Sequence, residues 1–399
     1  MHKLFRLSAL GAVLASPTLP VAMETAANAQ VQPIAPAPVA PLPAAVWTRP
    51  AAEALLAYVE GVGAEGLDPA TYGPDRLRSA ISSGDDGAIA TAATDAFLRL
   101  ASDLSGGSVR GNGRVDWHMP STQLDAHAQR QLMADAVAGG RVADALNSLL
   151  PVHPQYYGLR RALSITPESD TAKRDLIRTN MERWRWMPRS LGSRHVIVNV
   201  PAYTAAIVDN GQVTARHRTV VGAVRTPTPQ LSATISAVTF NPYWHVPQSI
   251  IREMGGRFGS DYEVRRNGNQ LTVRQQPGPR NSLGRVKIEM PNDHAIYLHD
   301  TPAQALFSRP ARAFSHGCIR TQNVRDFAAL LLAPTGSWAR PQIDRTINAG
   351  RTTSAPLAAP VPVYIAYFTA AATTEGEVVT YRDIYGRDAP VRRALNAAG

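Results

Sequence analysis

The sequence has little cysteine and little lysine, and it lacks a long hydrophobic run. Its single cysteine, Cys318, excludes an intramolecular disulfide and the paired thiolates of a structural zinc site. Its three lysines are Lys3, Lys173 and Lys287, so arginine carries nearly all of the positive charge. No stretch reaches the roughly 18 apolar residues that a transmembrane helix needs. The one thiol is therefore either an inert core residue or a reactive group.

The composition favours a folded chain with more than one domain. Apolar residues make up 44% and charged residues 18% of the chain, which excludes wholesale disorder and a long coiled coil. A length of 399 residues exceeds the roughly 250–300 that one core supports. The net charge of +10 permits an acidic partner such as nucleic acid, anionic lipid or an acidic polymer. Because the arginines are scattered without interleaved aromatics, we predict no nucleic-acid partner.

The N-terminus has the pattern of a secretory signal. Lys3 and Arg6 precede a short apolar stretch at 7–15, and residues 27–29 (Ala-Asn-Ala) suit signal peptidase. We therefore predict a signal peptide at 1–29, an exported protein and no transmembrane segment in the mature chain. An unpaired thiol in an oxidising compartment is a liability unless it has a function.

Three further segments follow in the chain. Residues 30–46 are rich in proline and alanine, which predicts a semi-extended tether. Residues 47–173 repeat apolar side chains at helical spacing and predict a helical domain. Residues 174–190 predict a connecting helix that ends at Pro188.

The last segment, 191–399, has the period of two that is typical of β-strands, which makes the whole chain α+β. Asn210-Gly211 and Asn267-Gly268 predict two hairpins. An insertion at about 245–285 carries the second of them. One good helix is expected after Asn323, with Asn323 as its cap. Its predicted apolar face is Phe327, Leu330 and Leu331, and further strands are predicted at 235–240, 286–290, 295–299 and 361–369.

The residues around Cys318 favour a reactive thiol. A thiol with an ordinary pKa is only a few per cent thiolate at neutral pH, and a nearby imidazole can take its proton. In an extended strand His294 and His299 point to opposite faces, and His299 lies at the strand's end. The Ser315-His316-Gly317-Cys318 turn, placed before the predicted helix, would supply backbone N–H groups to an anion, with Gly317 allowing their close approach.

Three interpretations of Cys318 remain open on these residues alone. It is a nucleophile paired with a histidine, a buried structural cysteine, or a metal ligand. The metal site would need His299, His316 and Cys318 together, and their spacing matches no zinc signature. We therefore predict neither a metal nor a cofactor.

The sequence resembles the L,D-transpeptidases at these same residues. Their YkuD-type catalytic domain has a histidine, a spacer of about fifteen residues and then [Ser/Thr]-His-Gly-Cys-x-[Arg/Asn], as in IYLHDTP (296–302) and AFSHGCIR (313–320) here. Flanking segments resemble the large Gram-negative members, namely RTNMERWRWMP, VNVPAYTAAI, VGAVRTPTP, FNPYWHVPQSI, QQPGPRNSLGRVK and, in the helical part, GLDPATYG, TDAFLRLASDLSGG and HPQYYGLRRAL. The resemblance implies a helical scaffold domain, then a β-sandwich catalytic domain with a small capping subdomain.

The resemblance also implies a reaction and a place for it. Cys318 would attack the carbonyl at the L-centre of meso-diaminopimelate in a peptidoglycan tetrapeptide stem and release D-Ala, with His299 as base and then acid. The amine of a second stem would then form a 3→3 cross-link in the periplasm. The resemblance assigns catalytic roles to Cys318, His299, His316 and Gly317, and substrate contacts to Arg320, Ser315, Tyr297, Trp244 and Asp300.

Several alternatives stay open within this resemblance. The chain could be a non-catalytic murein-binding or envelope scaffold protein, although its intact motif argues against that. The acyl acceptor could instead be water, as in an L,D-carboxypeptidase, or a lipoprotein lysine. Residues 162–173 are too few for the separate peptidoglycan-binding module of large members. Anchoring would then depend on the groove, the basic surface or an envelope protein partner.

Overall fold

The computed structural model describes residues 45–268, 270–373 and 376–397. The predicted signal peptide at 1–29 and all but the last two residues of the predicted tether at 30–46 lie outside this range. Within it, no helix combines the length and apolar character needed to cross a bilayer. The domain boundaries drawn from the sequence stay predictions.

The first part of the described chain is helical, as predicted. Its helices begin at capping side chains, because Thr48, Asp85 and Asp125 each accept a backbone N–H of the first turn. Their apolar faces meet in one cluster that includes Phe97 and Leu100. The helices are α1 (Arg49–Gly61), α2 (Pro74–Ser83), α3 (Asp86–Gly106), α4 (Ala126–Ala138), α5 (Val142–Asn147), α6 (Pro154–Ile165) and α7 (Thr171–Trp186).

Helix α7 is the predicted connecting helix, and it begins three residues earlier than Arg174. Asp170 causes the earlier start, because its carboxylate accepts the Lys173 N–H. A buried ion pair on this helix joins Glu182 to Arg185 at 2.9 Å. Glu182 also accepts the Val109 N–H at 2.7 Å, which ties α7 to the loop after α3.

The second part is mainly β, which confirms the predicted α+β class. The two hairpins form as predicted, and Asn210 and Gly211 both have positive φ in the first turn. The strands are β1 (Arg194–Asn199), β2 (Thr204–Asp209), β3 (Gln212–Gly222), β4 (Leu231–Phe240), β5 (Trp244–His245), β6 (Tyr262–Asn267), β7 (Gln270–Gln275), β8 (Val286–Glu289), β9 (Leu298–His299), β10 (Ala313–Ser315), β11 (Ile319–Thr321), β12 (Thr353–Ala366), β13 (Ala370–Ala372) and β14 (Val378–Thr380).

The main sheet closes on itself. Its order is β10-β3-β11-β9-β8-β4-β12-β1-β2, and β2 also pairs with β3. Most neighbours are antiparallel, whereas β1 with β12, β9 with β11 and β10 with β3 are parallel. The side chains on one face of this sheet form a single buried core cluster, which includes Val198, Phe240, Ile288 and Ile319. This arrangement puts β8, β9 and β11 side by side.

Three sequence expectations about helices are wrong. Beyond α7 the described residues hold four α-helices rather than one: α8 (Gln248–Glu253), α9 (Val324–Leu332), α10 (Arg340–Asn348) and α11 (Asp388–Ala397). Asn323 precedes α9 as predicted but its side chain makes no cap hydrogen bond, because its own backbone is left-handed with φ 51°. Phe327 and Leu331 are buried, but Leu330 is exposed.

The capping unit and the C-terminus complete the fold. Strands β5, β7 and β6 form a separate sheet with α8, around a small cluster that contains Trp244, Val273 and Leu283. The C-terminal residues return to the helical part, where Leu395 of α11 packs with Trp186 of α7. Helix α11 lies far along the chain from the α7 residue that it contacts.

Candidate active site

Strands β8, β9 and β11 place three polar side chains in one row. His299 pairs in register with Lys287 on one side and with Arg320 on the other, so the three share a face of the sheet. Leu298 and Ile319, the alternate residues, point to the opposite face and join the hydrophobic core. Strand alternation thus separates the packing residues from the charged and titratable ones.

Cys318 lies beside this row, one residue before β11. By alternation its side chain is on the face of Arg320, and Tyr297 occupies the equivalent position before β9. The backbone N–H and the hydroxyl of Tyr297 both lower the pKa of the Cys318 thiol, and Trp244 lowers the pKa of the Tyr297 hydroxyl in turn. The thiol itself contacts the Ala295 carbonyl oxygen at 3.6 Å.

A compact turn precedes β9 and replaces most of the strand predicted at 295–299, which is wrong except for Leu298 and His299. The Asn292 side chain causes the turn, because its Oδ1 accepts the N–H groups of His294 and Ile296 at 3.1 and 3.2 Å. Ala295 consequently has a φ of 52°, a conformation that non-glycine residues rarely adopt. This turn aims the Ala295 carbonyl at the thiol.

The loop that carries Cys318 is held from inside by Ser315. Its hydroxyl donates to the Cys318 carbonyl at 2.6 Å and accepts the Gly317 N–H at 3.2 Å. Gly317 has φ 110°, and a Cβ there would come within 3.3 Å of Ile296. Glycine is therefore required next to the cysteine on conformational grounds.

The segment 223–228 supports the same loop from outside. The Ser315 carbonyl accepts from the Ala223 N–H at 2.8 Å and the Thr226 hydroxyl at 2.9 Å. The Thr228 hydroxyl donates to the Gly317 carbonyl at 2.8 Å. These bonds explain why the VGAVRTPTP segment, which the resemblance singled out, lies near the cysteine.

His299 is buried and neutral at neutral pH. It is 4% exposed, and burial, followed by the charge of Arg320, lowers its pKa to about 3. Its Nδ1 lies 2.5 Å from the Asp300 carbonyl oxygen, which can only accept, so Nδ1 carries the proton. The Leu283 carbonyl is a second backbone acceptor at the ring.

The thiol of Cys318 is also held neutral. Burial raises its pKa above the ordinary value, and the opposing effects of Tyr297, Lys287 and Arg320 are smaller. Within the described residues Cys318 and His299 share no hydrogen bond. The expected help from a helix N-terminus is absent as well, because β11 separates the loop from α9. The resting pair is therefore thiol and imidazole, not thiolate and imidazolium.

Two cations flank the thiol. The Arg320 guanidinium has a buried Nε without a hydrogen-bond partner among the described residues. The Lys287 ammonium pairs with Glu289 at 2.7 Å and lies 4.7 Å from the Tyr297 ring centre. Sequence reasoning missed Lys287 as a site residue, although a lysine is rare in this arginine-rich chain. The pair makes this face electropositive.

The remaining predicted site residues have structural neighbours of their own. His316 is exposed, and its Nε2 contacts Glu253 at the end of α8 at 2.9 Å. The Asp300 carboxylate accepts the Arg285 N–H at 2.9 Å, so Asp300 orients His299 through its backbone carbonyl only. Trp244 lies in the core of the capping unit. In the part of the chain that the structure describes, no group of three or more His, Cys, Asp or Glu is placed to hold a metal.

Comparison with known proteins identifies related domains. Residues 193–363 match the L,D-transpeptidase catalytic domain, YkuD, and residues 43–163 match the Scaffold domain. A Haemophilus influenzae protein named "Putative L,D-transpeptidase" is 29% identical over 315 residues, which cover 70% of this chain and 63% of that protein. The chain thus matches less than two thirds of the length of this curated relative.

Solved structures of low identity also align with the chain. The L,D-transpeptidase from Mycobacterium smegmatis is 16% identical, with 43% of this chain and 58% of that chain covered and a TM-score of 0.24. L,D-transpeptidase 3 from Mycobacterium tuberculosis is 14% identical, with 43% and 60% covered and a TM-score of 0.24.

Proposed function

Since the chain belongs to the L,D-transpeptidase family, with a YkuD catalytic domain and a Scaffold domain, we propose that it forms 3→3 peptidoglycan cross-links through an acyl-enzyme on Cys318. The family acts on peptidoglycan stem peptides. One observation carries the proposal for this chain: Cys318, His299 and Arg320 share one face of adjacent strands. Nucleophile, base and cation are then close enough to act on one peptide bond.

In the first step the Cys318 sulfur attacks the carbonyl carbon at the L-centre of meso-diaminopimelate in a tetrapeptide stem. Because the Asp300 carbonyl occupies Nδ1 of His299, Nε2 is the nitrogen that takes the thiol proton. The C–N bond to D-Ala breaks, and the imidazolium returns its proton to the departing amine. A thioester on Cys318 remains.

The neutral resting pair suits this role for His299. The lowered pKa keeps the imidazole unprotonated across the physiological range, so its Nε2 lone pair is free, although the same shift makes the ring a weaker base. The carbonyls of Asp300 and Leu283 favour the protonated ring, which stabilises the imidazolium while it exists. The thiol need not ionise before the substrate arrives.

Charge complementarity supports a substrate with carboxylates. A stem tetrapeptide ends in the D-Ala carboxylate, and the Arg320 Nε has no hydrogen-bond partner among the residues that the structure describes. Lys287 adds a second positive charge beside the thiol. For the oxyanion, the backbone N–H of Cys318 has no acceptor within the described residues, and Gly317 presents no side chain to block it.

The proposed substrate implies a place in the cell envelope. The N-terminal signal pattern at 1–29 supports export, and a periplasmic location brings the enzyme to its polymer. No nucleotide is needed there, because the thioester preserves the energy of the cleaved peptide bond.

The test is to incubate the purified protein with tetrapeptide muropeptides and to identify the products by mass spectrometry. A dimer that has lost one D-Ala, absent with Cys318→Ala, supports the proposal. Tripeptide without dimer would indicate hydrolysis, and water would then replace the second stem as the acceptor. No D-Ala release by the unsubstituted protein would contradict an enzymatic role and favour the murein-binding alternative.

A further inference from the structure

Four arginines lie together on β3 and on the loop before β10, and they take no part in the proposed reaction. Arg216 and Arg218 lie two residues apart on β3, so their side chains share one face of the sheet. Arg312, in the loop, donates to the Arg309 carbonyl at 2.9 Å and to the Thr219 carbonyl of β3 at 3.0 Å. Arg312 is half-buried and the other three arginines are exposed. These four residues form what we call the arginine patch.

The protein does not neutralise the charge of the arginine patch. In the part of the chain that the structure describes, none of its four arginines forms an ion pair with a carboxylate. The sequence explains this, because residues 210–252 and residues 301–325 contain no aspartate or glutamate. Asp209, at the end of β2, pairs with Arg194 at 3.1 Å instead.

Like charges are crowded within the patch. Burial, followed by the charge of Arg218, lowers the pKa of Arg312. Aromatic rings offset part of the repulsion, because the Arg312 guanidinium lies 5.0 Å from the ring centre of Tyr203 and that of Arg309 lies 5.5 Å from the ring centre of Phe314. The Arg309 side chain donates no hydrogen bond to another described residue, so its N–H groups are available to an external anion.

Exposed apolar side chains lie at both ends of the patch. Phe314 on β10 is 41% exposed, beneath the guanidinium of Arg309. At the other end, a β-bulge opposite 207–208 puts Val213 on the face of Arg216, and Val213 is 43% exposed. Apolar side chains among cations suit the boundary between lipid headgroups and acyl chains, whereas a soluble polyanion would leave them in water.

We propose that the arginine patch, with Phe314 and Val213, docks the protein on an anionic phospholipid surface. The guanidinium groups bind headgroup phosphates, and the Phe314 ring enters the boundary with the acyl chains. Phe314 directly precedes Ser315, whose hydroxyl holds the Cys318 carbonyl, so docking keeps the active-site loop next to the bilayer. This inference goes beyond the proposed function and does not depend on acyl transfer.

The test measures binding of the full chain to phosphatidylcholine vesicles with and without phosphatidylglycerol. The readout is the partition coefficient into the anionic vesicles divided by that into the neutral vesicles. The patch variant replaces three exposed arginines of the patch by glutamine: Arg216→Gln, Arg218→Gln and Arg309→Gln. The control variant makes the same change of net charge at exposed arginines of β6 and α11: Arg265→Gln, Arg266→Gln and Arg392→Gln. All proteins carry the same N-terminus, so differences between them come from the substituted positions.

We expect the patch variant to lose about 100-fold in this ratio, because each arginine near an anionic surface strengthens binding by about fivefold. The control variant should lose less than about threefold, and circular dichroism should stay native in both. High salt should release the unsubstituted protein from the anionic vesicles, since screening weakens the contact. No preference of the unsubstituted protein for anionic vesicles overturns the inference. An equal loss in both variants also overturns it, since net charge alone would then explain binding.

A second substitution separates a membrane from a soluble acidic polymer. Phe314→Ala should weaken binding to the anionic vesicles by about fivefold or more, because the ring no longer leaves water. Tyr157→Ala is the matched control, since it removes a ring of similar exposure, 45%, from α6, and it should change binding less than about twofold. An unchanged affinity in Phe314→Ala, or binding to peptidoglycan sacculi without binding to vesicles, overturns the inference in favour of an acidic polymer. A chain that binds the vesicles but releases no D-Ala would contradict the proposed function and still support this inference.

Discussion

Replacing Tyr297 by phenylalanine tests how the surroundings of Cys318 set the pKa of its thiol. The Tyr297 backbone N–H and, after it, the Tyr297 hydroxyl lower the pKa of the Cys318 thiol, against the larger opposite effect of burial. Tyr297→Phe removes the hydrogen bond of the hydroxyl, and it keeps the backbone N–H and the ring on which the Lys287 ammonium lies. The thiolate loses a stabilising donor, so the pKa of Cys318 should rise.

The size of the rise follows from the type of bond. A hydrogen bond to a charged group is worth about 1.5–3 kcal/mol, and one pKa unit corresponds to about 1.4 kcal/mol. The pKa of Cys318 should therefore increase by about 1–2 units. Because Tyr297 is largely buried, water cannot readily replace the missing donor.

The assay is the rate of alkylation by iodoacetamide as a function of pH, followed by intact mass. Cys318 is the only cysteine, so every adduct reports on this thiol. Tyr243→Phe is the matched control, since Tyr243 stacks under Arg274 in the capping unit at 4.5 Å. An alkylation pKa that is unchanged or lower in Tyr297→Phe, with the control unchanged, would refute the reasoning.

Three other substitutions have defined outcomes. Burial lowers the pKa of His153 from 6.5 to about 4, so the folded protein is fully stable above pH 6.5 and loses stability as the pH falls towards 4. Between pH 7.5 and 5.0 in urea titrations, His153→Asn should lose about 2 kcal/mol less unfolding free energy than the unsubstituted protein, and an equal loss in both proteins would disprove this. Glu182→Gln leaves Arg185 buried without its carboxylate and should lower the unfolding free energy by about 3–5 kcal/mol, whereas a loss below about 1 kcal/mol would contradict that estimate. Gly317→Ala forces a side chain at φ 110° and should slow D-Ala release at least about fivefold while circular dichroism stays native; an unchanged rate would show that the loop tolerates the Cβ.

Local signals in the sequence predict much of this fold. The hairpin predicted from Asn210-Gly211 is correct because both residues adopt positive φ without help from distant parts of the chain. The helix predicted from the apolar spacing around Phe97 and Leu100 is correct because one face of α3 is buried. The relation of Cys318 to His299 comes instead from the resemblance to a family, since spacing alone left three interpretations open.

The failures have two physical causes: one is a local side-chain hydrogen bond, and the other is contact between distant segments. The strand predicted at 295–299 is mostly a turn because the Asn292 side chain bonds across it. Lys287 looks like an ordinary strand residue until register places it beside His299. Asp116 and Arg387 lie far apart in the chain and meet only because α11 and the C-terminal strands return to the helical part.

The central claim, that Cys318 carries the acyl group, is tested most directly by intact mass spectrometry of the acid-quenched protein after brief exposure to a tetrapeptide stem. The account predicts one adduct equal to the mass of the stem minus that of D-Ala. Peptide mapping should locate it on Cys318, and Cys318→Ala should form none. D-Ala release that persists in Cys318→Ala, or an adduct on another residue, would contradict the account.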